Sequence, residues 1–157
     1  MCEIVSTTVS AIWDDPYFES LVEEYAQESA IDGLPHPSAK RESYEQLEAA
    51  GLITPMAAYA NGRLVGFVGI FMPVVPHYDA RIATLESFFV GAAYRKSGAG
   101  LKLLRAAEHF AKENNAVGLL VSVPSGGRLA EVMPRLDYVE SNQVFFRKLN
   151  DGSSTQH

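Results

Sequence analysis

Cysteine is nearly absent: Cys2 is the only one in 157 residues, so no disulfide can close within the chain. At the very start of the sequence it reads as incidental. Long apolar runs are missing too, and nothing approaches the roughly 20 residues of a membrane span. The opening "MCEIVSTTVS" lacks the basic and apolar regions of a secretory signal, so the expectation is a cytoplasmic protein with no membrane role. Positive charge is scarce, with thirteen Lys and Arg against nineteen Asp and Glu and a net charge of −6. Neutralising a phosphate backbone takes clustered cations. Nucleic acid is therefore not an expected partner and a cationic substrate suits better, although Lys96, Lys102 and Arg105 could form a local basic patch. His36 and His77 sit in proline-flanked loops without ligand spacing or a neighbouring Cys or carboxylate cluster. No metal is expected. Repeats, low-complexity stretches and linkers are also absent, which points to one domain over residues 1–149 and a small polar tail, 150–157, expected to be flexible.

What is present alternates between helical and strand patterns. "EIVSTTVS" reads as a first strand. Asp15 as a cap and Pro16 at the first helical position open a helix over residues 16–30, with Phe18, Leu21, Val22, Tyr25 and Ala26 at helical spacing. Ser38 caps a second helix that Gly51 stops. "MAAYA" and "RLVGFVGIFM" flank Asn61-Gly62, a strong hairpin signal, and "RIATLESFFV" is the next strand. "GLKLLRAAEHFAKENN" is an amphipathic helix with Leu101, Leu103, Leu104, Ala107, Phe110 and Ala111 inward. "VGLLVSV" is a strand, "GGRLAEVMPRL" a short helix in which Pro134 imposes irregularity, and "NQVFFRKL" a last strand. The order β-α-α-β-β-β-α-β-α-β places one parallel crossover in an otherwise antiparallel sheet.

The turn "YRKSGAG", where a strand gives way to a helix, carries Arg95, Gly98 and Gly100 in the pattern Arg-x-x-Gly-x-Gly. A nucleotide P-loop would need Gly-Lys followed by Ser or Thr, and Gly100-Leu101-Lys102 does not supply it. The dinucleotide fingerprint needs a third glycine where Leu103 stands. What remains is a helix N-terminus with unpaired amides and positive partial charge, two glycines without Cβ atoms, and an arginine: either a structural turn or a cradle for a diphosphate.

"LESFFVGAAYRKSGAGLKLLRAAEHFAKE" resembles the central motif of the GNAT superfamily, the Gcn5-related N-acetyltransferases. The element order is similar to that family's α/β fold, a mixed, mostly antiparallel central sheet of six to seven strands flanked by about four helices. In motif the chain looks most like the branch containing diamine and aminoglycoside-type acetyltransferases, and it is similar in length to small acetyltransferase-like proteins of bacteriophage and prophage. The resemblance implies acetyl-CoA as co-substrate. Phe88, Phe89 and Val90 match the strand whose backbone receives the pantetheine arm, which requires the sheet to splay there. Arg95, Lys96, Ser97, Gly98, Ala99, Gly100 and Leu101 match the pyrophosphate loop. A homodimer is implied by resemblance alone.

Acetyl transfer to an amine needs a base for the ammonium proton, a stabilised oxyanion and a proton for the departing thiolate. Glu86 is the only carboxylate in "IATLESFFV". Strand alternation puts it on the face of Thr84, Phe88 and Val90, among apolar neighbours that would raise its pKa. The matching position in the diamine branch is a glutamate. The tyrosine that many relatives carry in the last helix is replaced by Met133, and Tyr138 reads as a core aromatic. Glu24 and Glu28, with His77 and Tyr78 of the "VVPHYD" loop, are the candidates for binding a small-molecule or peptide amine. A solvated helix face explains the two glutamates equally. Three readings follow: an acetyl-CoA-dependent N-acetyltransferase; a catalytically weak or inactive CoA-binding regulatory protein, which Met133 favours; and an enzyme acting on charged tRNA, which the acidic balance disfavours.

Overall fold

The computed structural model describes residues 2–149; the tail expected at 150–157 lies outside them. These residues form two compact units. One runs from residue 2 to Ser29 and continues over Pro37–Val121; the other holds Ala30–His36 and residues 122–149.

The first unit is built on a six-stranded sheet. β1 (Cys2–Ser6) pairs antiparallel with β2 (Ile53–Ala60), and β2 with β3 (Arg63–Phe71). Asn61 and Gly62, both at positive φ (51° and 77°), make the tight turn between β2 and β3. Only a primed turn matches strand twist there, which is why the Asn-Gly pair was legible. β3 pairs antiparallel with β5 (Ala80–Val90), and the two-residue β4 (Val74–Val75) folds back on the start of β5. β6 (Gly118–Leu120) joins β5 in parallel, the expected crossover.

Helices cover both faces. α1 (Val9–Trp13) is capped by Thr8, whose Oγ1 accepts from the Ala11 amide at 3.1 Å. Five residues are too few to show a period, and the sequence reading missed this helix. α2 (Phe18–Ser29) starts two residues beyond Pro16, because Asp15 Oδ1 takes the Tyr17 amide instead. α3 (Arg41–Ala49) starts after Lys40, with no side-chain cap, rather than at Ser38; it stops at Gly51, whose φ of 73° is left-handed. Ile12, Phe18, Leu21, Phe67 and Phe89 pack together under α1 and α2. α4 (Ala99–Glu113) lies against β1, β2 and β3. It buries Ala99, Leu103, Leu104, Ala107 and Ala111, whereas Leu101, expected inward, is exposed. Cys2, expected to be incidental, is buried, and its thiol donates to Ser97 Oγ at 3.2 Å.

The second unit contains α5 (Arg128–Val132) and a 3-10 turn, Met133–Leu136, which opens around Pro134 as the missing proline N–H requires. Met133 is buried and Tyr138 half-buried. The expected strand in "NQVFFRKL" does not form: residues 139–149 carry no strand, and Val144, Phe145 and Leu149 are exposed. β-branched and aromatic residues suit a strand, but only a neighbouring ladder makes one.

Candidate active site

Everything that the sequence assigns to chemistry or coenzyme binding lies on β5 or just after it. β5 pairs with β3 through Val90, but a bulge interrupts the ladder: Gly69 faces Ser87 while Ile70 faces Leu85, so Glu86 is the extra residue. A bulge re-aims the side chains beside it. Glu86 therefore does not follow Val90, which turns towards α4; Val90 Cγ2 lies 3.8 Å from where a Cβ on Gly100 would stand. Glu86 joins Ser87 instead. A Cβ on Gly69 would stand 2.9 Å from Ser87 Oγ and 3.6 Å from Glu86 Oε2. Nor is the carboxylate enclosed by apolar neighbours as expected. It is exposed, and Tyr44 of α3 donates its hydroxyl proton to Glu86 Oε1 at 2.5 Å.

Tyr44 was not found from the sequence. It stands in "RESYEQLEA", a helix with no fully buried residue, and nothing local separates a tyrosine that meets β5 from one that faces water. The ties between α1 and α3 hold it in place. Glu48 accepts from the Val9 amide, Glu45 accepts from Ser10 Oγ, and Arg41 pairs with Asp14 at 2.8 Å.

Three phenols are pushed above their ordinary value near 10, each first by burial: Tyr25, Tyr44 and Tyr59. The carboxylate of Glu86 adds to the effect at Tyr44, through the hydrogen bond, and at Tyr25; Asp15 adds to it at Tyr59. A phenol raised in the folded state keeps its proton longer there than in the unfolded chain. The stability this confers is complete below about pH 10 and is lost as pH rises through the raised values. Urea midpoints are expected to hold level up to about pH 10 and to fall above it, with a shallower fall in Tyr44→Phe. A midpoint that rises above that pH would contradict the assignment.

On β5's outer edge β6 reaches only Thr84, while β4 continues the register of β3 on the other edge, Phe71 facing Thr84 and Val74 facing Arg81. Among the described residues, no strand lies against that outer edge from Leu85 to Val90. Side chains meet this edge instead: the Phe88 backbone hydrogen-bonds Tyr25, and the Val90 carbonyl accepts from Arg95 Nε at 3.0 Å. Beyond Val90 the chain turns through a 3-10 segment, Ala92–Ser97, to Gly98, which is left-handed at φ 86° and opens α4. Lys102 donates to the Gly98 carbonyl, the first bond of the helical ladder; the Gly100 and Leu101 amides come ahead of it. Nothing stands within 4 Å of where a Gly98 Cβ would project.

Glu24 and Glu28, candidates for the acceptor, are engaged at this turn. Glu24 Oε2 takes the Ala92 amide at 2.7 Å, and Glu28 forks onto Arg95 Nη2 at 2.7 and 2.8 Å. Arg95 thus ties α2 to the turn. His77 and Tyr78 lie in the turn between β4 and β5, with Tyr78 exposed. Six residues of strand separate Ala80 from Glu86, roughly 20 Å, so the structure does not bring them to the carboxylate.

Alongside Tyr44, Gly69 and Ser87 opens a cavity whose walls include Ile12, Trp13, Phe18, Tyr25 and Phe67. A bulged carboxylate thus stands near an aromatic hollow, on a strand that leads into a glycine-led helix start. The chain belongs to the acetyltransferase (GNAT) family, whose model matches residues 11–128. No curated protein matches it significantly. Its fold is similar to that of a ribosomal-protein-alanine N-acetyltransferase from Brucella melitensis biovar Abortus 2308 (18% identity, 94% of this chain and 97% of that one, TM-score 0.68). It is also similar to an aminoglycoside acetyltransferase from an uncultured soil metagenomic sample (16%, 95% and 97%, TM-score 0.72). A third, the acetyltransferase AAC(6')-Iy in complex with the bisubstrate analog CoA-S-monomethyl-acetylneamine, matches at 17% identity over 96% and 99% of the two chains, with TM-score 0.71. At such identities the likeness is one of fold.

Proposed function

We propose that this protein is an N-acetyltransferase of one domain that moves an acetyl group from acetyl-CoA directly to a primary amine in the cytoplasm. The observation that carries this reading is the Glu86–Tyr44 pair, set by a bulge on the strand that leads into the glycine turn. The chain's own geometry suits the coenzyme. β5 offers an outer edge with no strand on it from Leu85 to Val90, and the start of α4 offers amides ahead of its ladder, with open space beside Gly98. Phe88, Phe89 and Val90 would orient the pantetheine arm, and residues 95–101 would hold the diphosphate.

When bound, acetyl-CoA supplies the acetyl thioester. Glu86 takes the ammonium proton, and the free amine then forms the C–N bond as the C–S bond breaks. Tyr44 positions the carboxylate: its one hydrogen bond fixes Oε1 and leaves Oε2 to face the amine. The thiolate leaves as thiol once protonated. Met133, buried where relatives carry a tyrosine, leaves that step to water or the acceptor and is the feature favouring a CoA-binding protein with little catalysis.

Thiol release from acetyl-CoA in the presence of polyamines, amino sugars, arylalkylamines and peptides separates the two readings. Steady release with any amine supports transfer; saturable CoA binding without release supports the regulator. Gly98→Val tests the cradle. A β-branched side chain is strained at this left-handed φ and projects into the open space beside the first helical amides, so it is expected to displace them and raise the Kd for CoA by about tenfold in calorimetry. An unchanged Kd would remove Gly98 from the coenzyme site.

A further inference from the structure

The cavity beside Glu86 is unlike a receptacle for a sugar or a polyamine. Its aromatic walls are in mutual contact: Trp13 lies 4.7 Å from Phe18 and 5.4 Å from Tyr44, centroid to centroid, and Phe67 lies 5.9 Å from Phe18 and 5.6 Å from Tyr25. Aliphatic side chains such as Ile12 and Ile53 complete it. The Tyr44 hydroxyl, at the wall, is already committed to Glu86, and Ser87 supplies a second hydroxyl beside Gly69. Glu86 adjoins this apolar lining through Tyr44, which bonds it, and Gly69, whose Cβ position lies 3.6 Å from Glu86 Oε2.

We infer that this hollow is the acceptor's side-chain pocket, and that the acceptor is a small primary monoamine bearing one compact apolar group, an aryl ring or a branched alkyl. The inference rests on the acetyltransferase reading for its reaction and on the cavity alone for its ligand. Three features lead to this class. Charge complementarity sets the amine at Glu86. The lining then rejects hydroxylated arms, because each hydroxyl stripped of water without a partner costs a ligand about tenfold in affinity. Size sets the limit. The cavity measures about 70 Å³, and a water-sized probe takes roughly 10–15 Å³ of such space. That admits about five or six heavy atoms, a single ring and not a fused or sugar-linked system.

Gly69 joins the two halves of the site. Any side chain there would press on Ser87 Oγ and reach towards Glu86 Oε2, closing the passage from carboxylate to hollow. Ala39 lies at the mouth, exposed and outside any helix or strand, where a larger side chain can enter the cavity without displacing core.

Trp13 is the only tryptophan of the chain and lines the hollow, so its fluorescence reports occupancy without any acetyl transfer. Titrating the full chain with phenethylamine, isoamylamine, spermidine and glucosamine, with and without CoA, is expected to give a saturable change for the first two only. With acetyl-CoA, kcat/KM by thiol release is expected to favour the apolar amines by about 100-fold or more, roughly two unpartnered hydroxyls or charges. Ala39→Phe is expected to raise the KM of phenethylamine about tenfold or more, while calorimetry with CoA shows the variant folded and its coenzyme site intact. A saturable tryptophan signal without thiol release would uphold the pocket and overturn the transferase. Thiol release with spermidine or glucosamine equal to or above that with phenethylamine would uphold the transferase and overturn the pocket. An unaltered KM in Ala39→Phe, or no tryptophan response to any amine, would overturn the pocket as well.

Discussion

Glu86→Gln is expected to lower kcat/KM for amine acetylation by about 10²- to 10⁴-fold, the range lost when a positioned general base is removed. Glutamine keeps the shape of the side chain, and its carbonyl oxygen can still accept the Tyr44 proton now bound at 2.5 Å. It cannot take a proton from an ammonium. The bulge that aims the side chain is a property of the backbone register between Gly69 and Ile70 on β3 and Leu85 to Ser87 on β5, so the variant retains the fold. Residues 88–90 and 95–101, proposed to hold the coenzyme, are untouched. Calorimetry should therefore return a wild-type Kd for CoA while thiol release nearly stops. A variant turning over within about threefold of the parent would mean that the proton goes elsewhere, and the role given to this carboxylate would be withdrawn.

Leu103→Ala is expected to destabilise the protein by about 2–5 kcal/mol, the range for a leucine truncated in a filled core. Leu103 is fully buried, and its Cδ1 would lie only 3.3 Å from a Cβ built on Gly66 of β3. That same Cβ would stand 2.8 Å from the Phe89 carbonyl oxygen, so at this point α4 rests on sheet backbone through a glycine. Backbone that is hydrogen-bonded on both sides collapses poorly into a hole, which puts the expected cost towards the upper end. Urea unfolding should show a lower midpoint at unchanged slope. Leu101→Ala, two residues earlier and exposed, should stay within about 0.5 kcal/mol of the parent. Equal losses at the two positions would mean that α4 is rotated from the orientation described.

The pair Leu101 and Leu103 shows where sequence reasoning holds and where it stops. Helical spacing found α4 and nearly all of its inward face, because Leu103, Leu104, Ala107 and Ala111 obey the period. Leu101 fails because the turn before it, led by Gly98, sets which face arrives first, and a period carries no phase. Likewise Asn61-Gly62 announced its hairpin, since few pairs tolerate two positive φ angles. Glu86 was singled out by being the one acid in an apolar run, yet its direction was misjudged. A bulge adds a residue without a residue type that betrays it. Tyr44 and Trp13 belong to segments 42 or more positions away from Glu86 in the chain, and only the closed fold brings such side chains within reach. "NQVFFRKL" holds β-branched and aromatic residues that suit a strand, but such composition leaves the pairing partner unspecified.

The outer flank of β5 has a practical bearing on handling. From Leu85 to Val90 it is screened by two reaching side chains, Tyr25 and Arg95, in place of another strand. Such a flank invites a second molecule to dock there and begin a growing stack. Any compound that lies along it would work as a preservative as well as a reactant, and at about 100 times its Kd would add about 2.7 kcal/mol to the native state. Concentrated samples should therefore keep longest with coenzyme in the buffer.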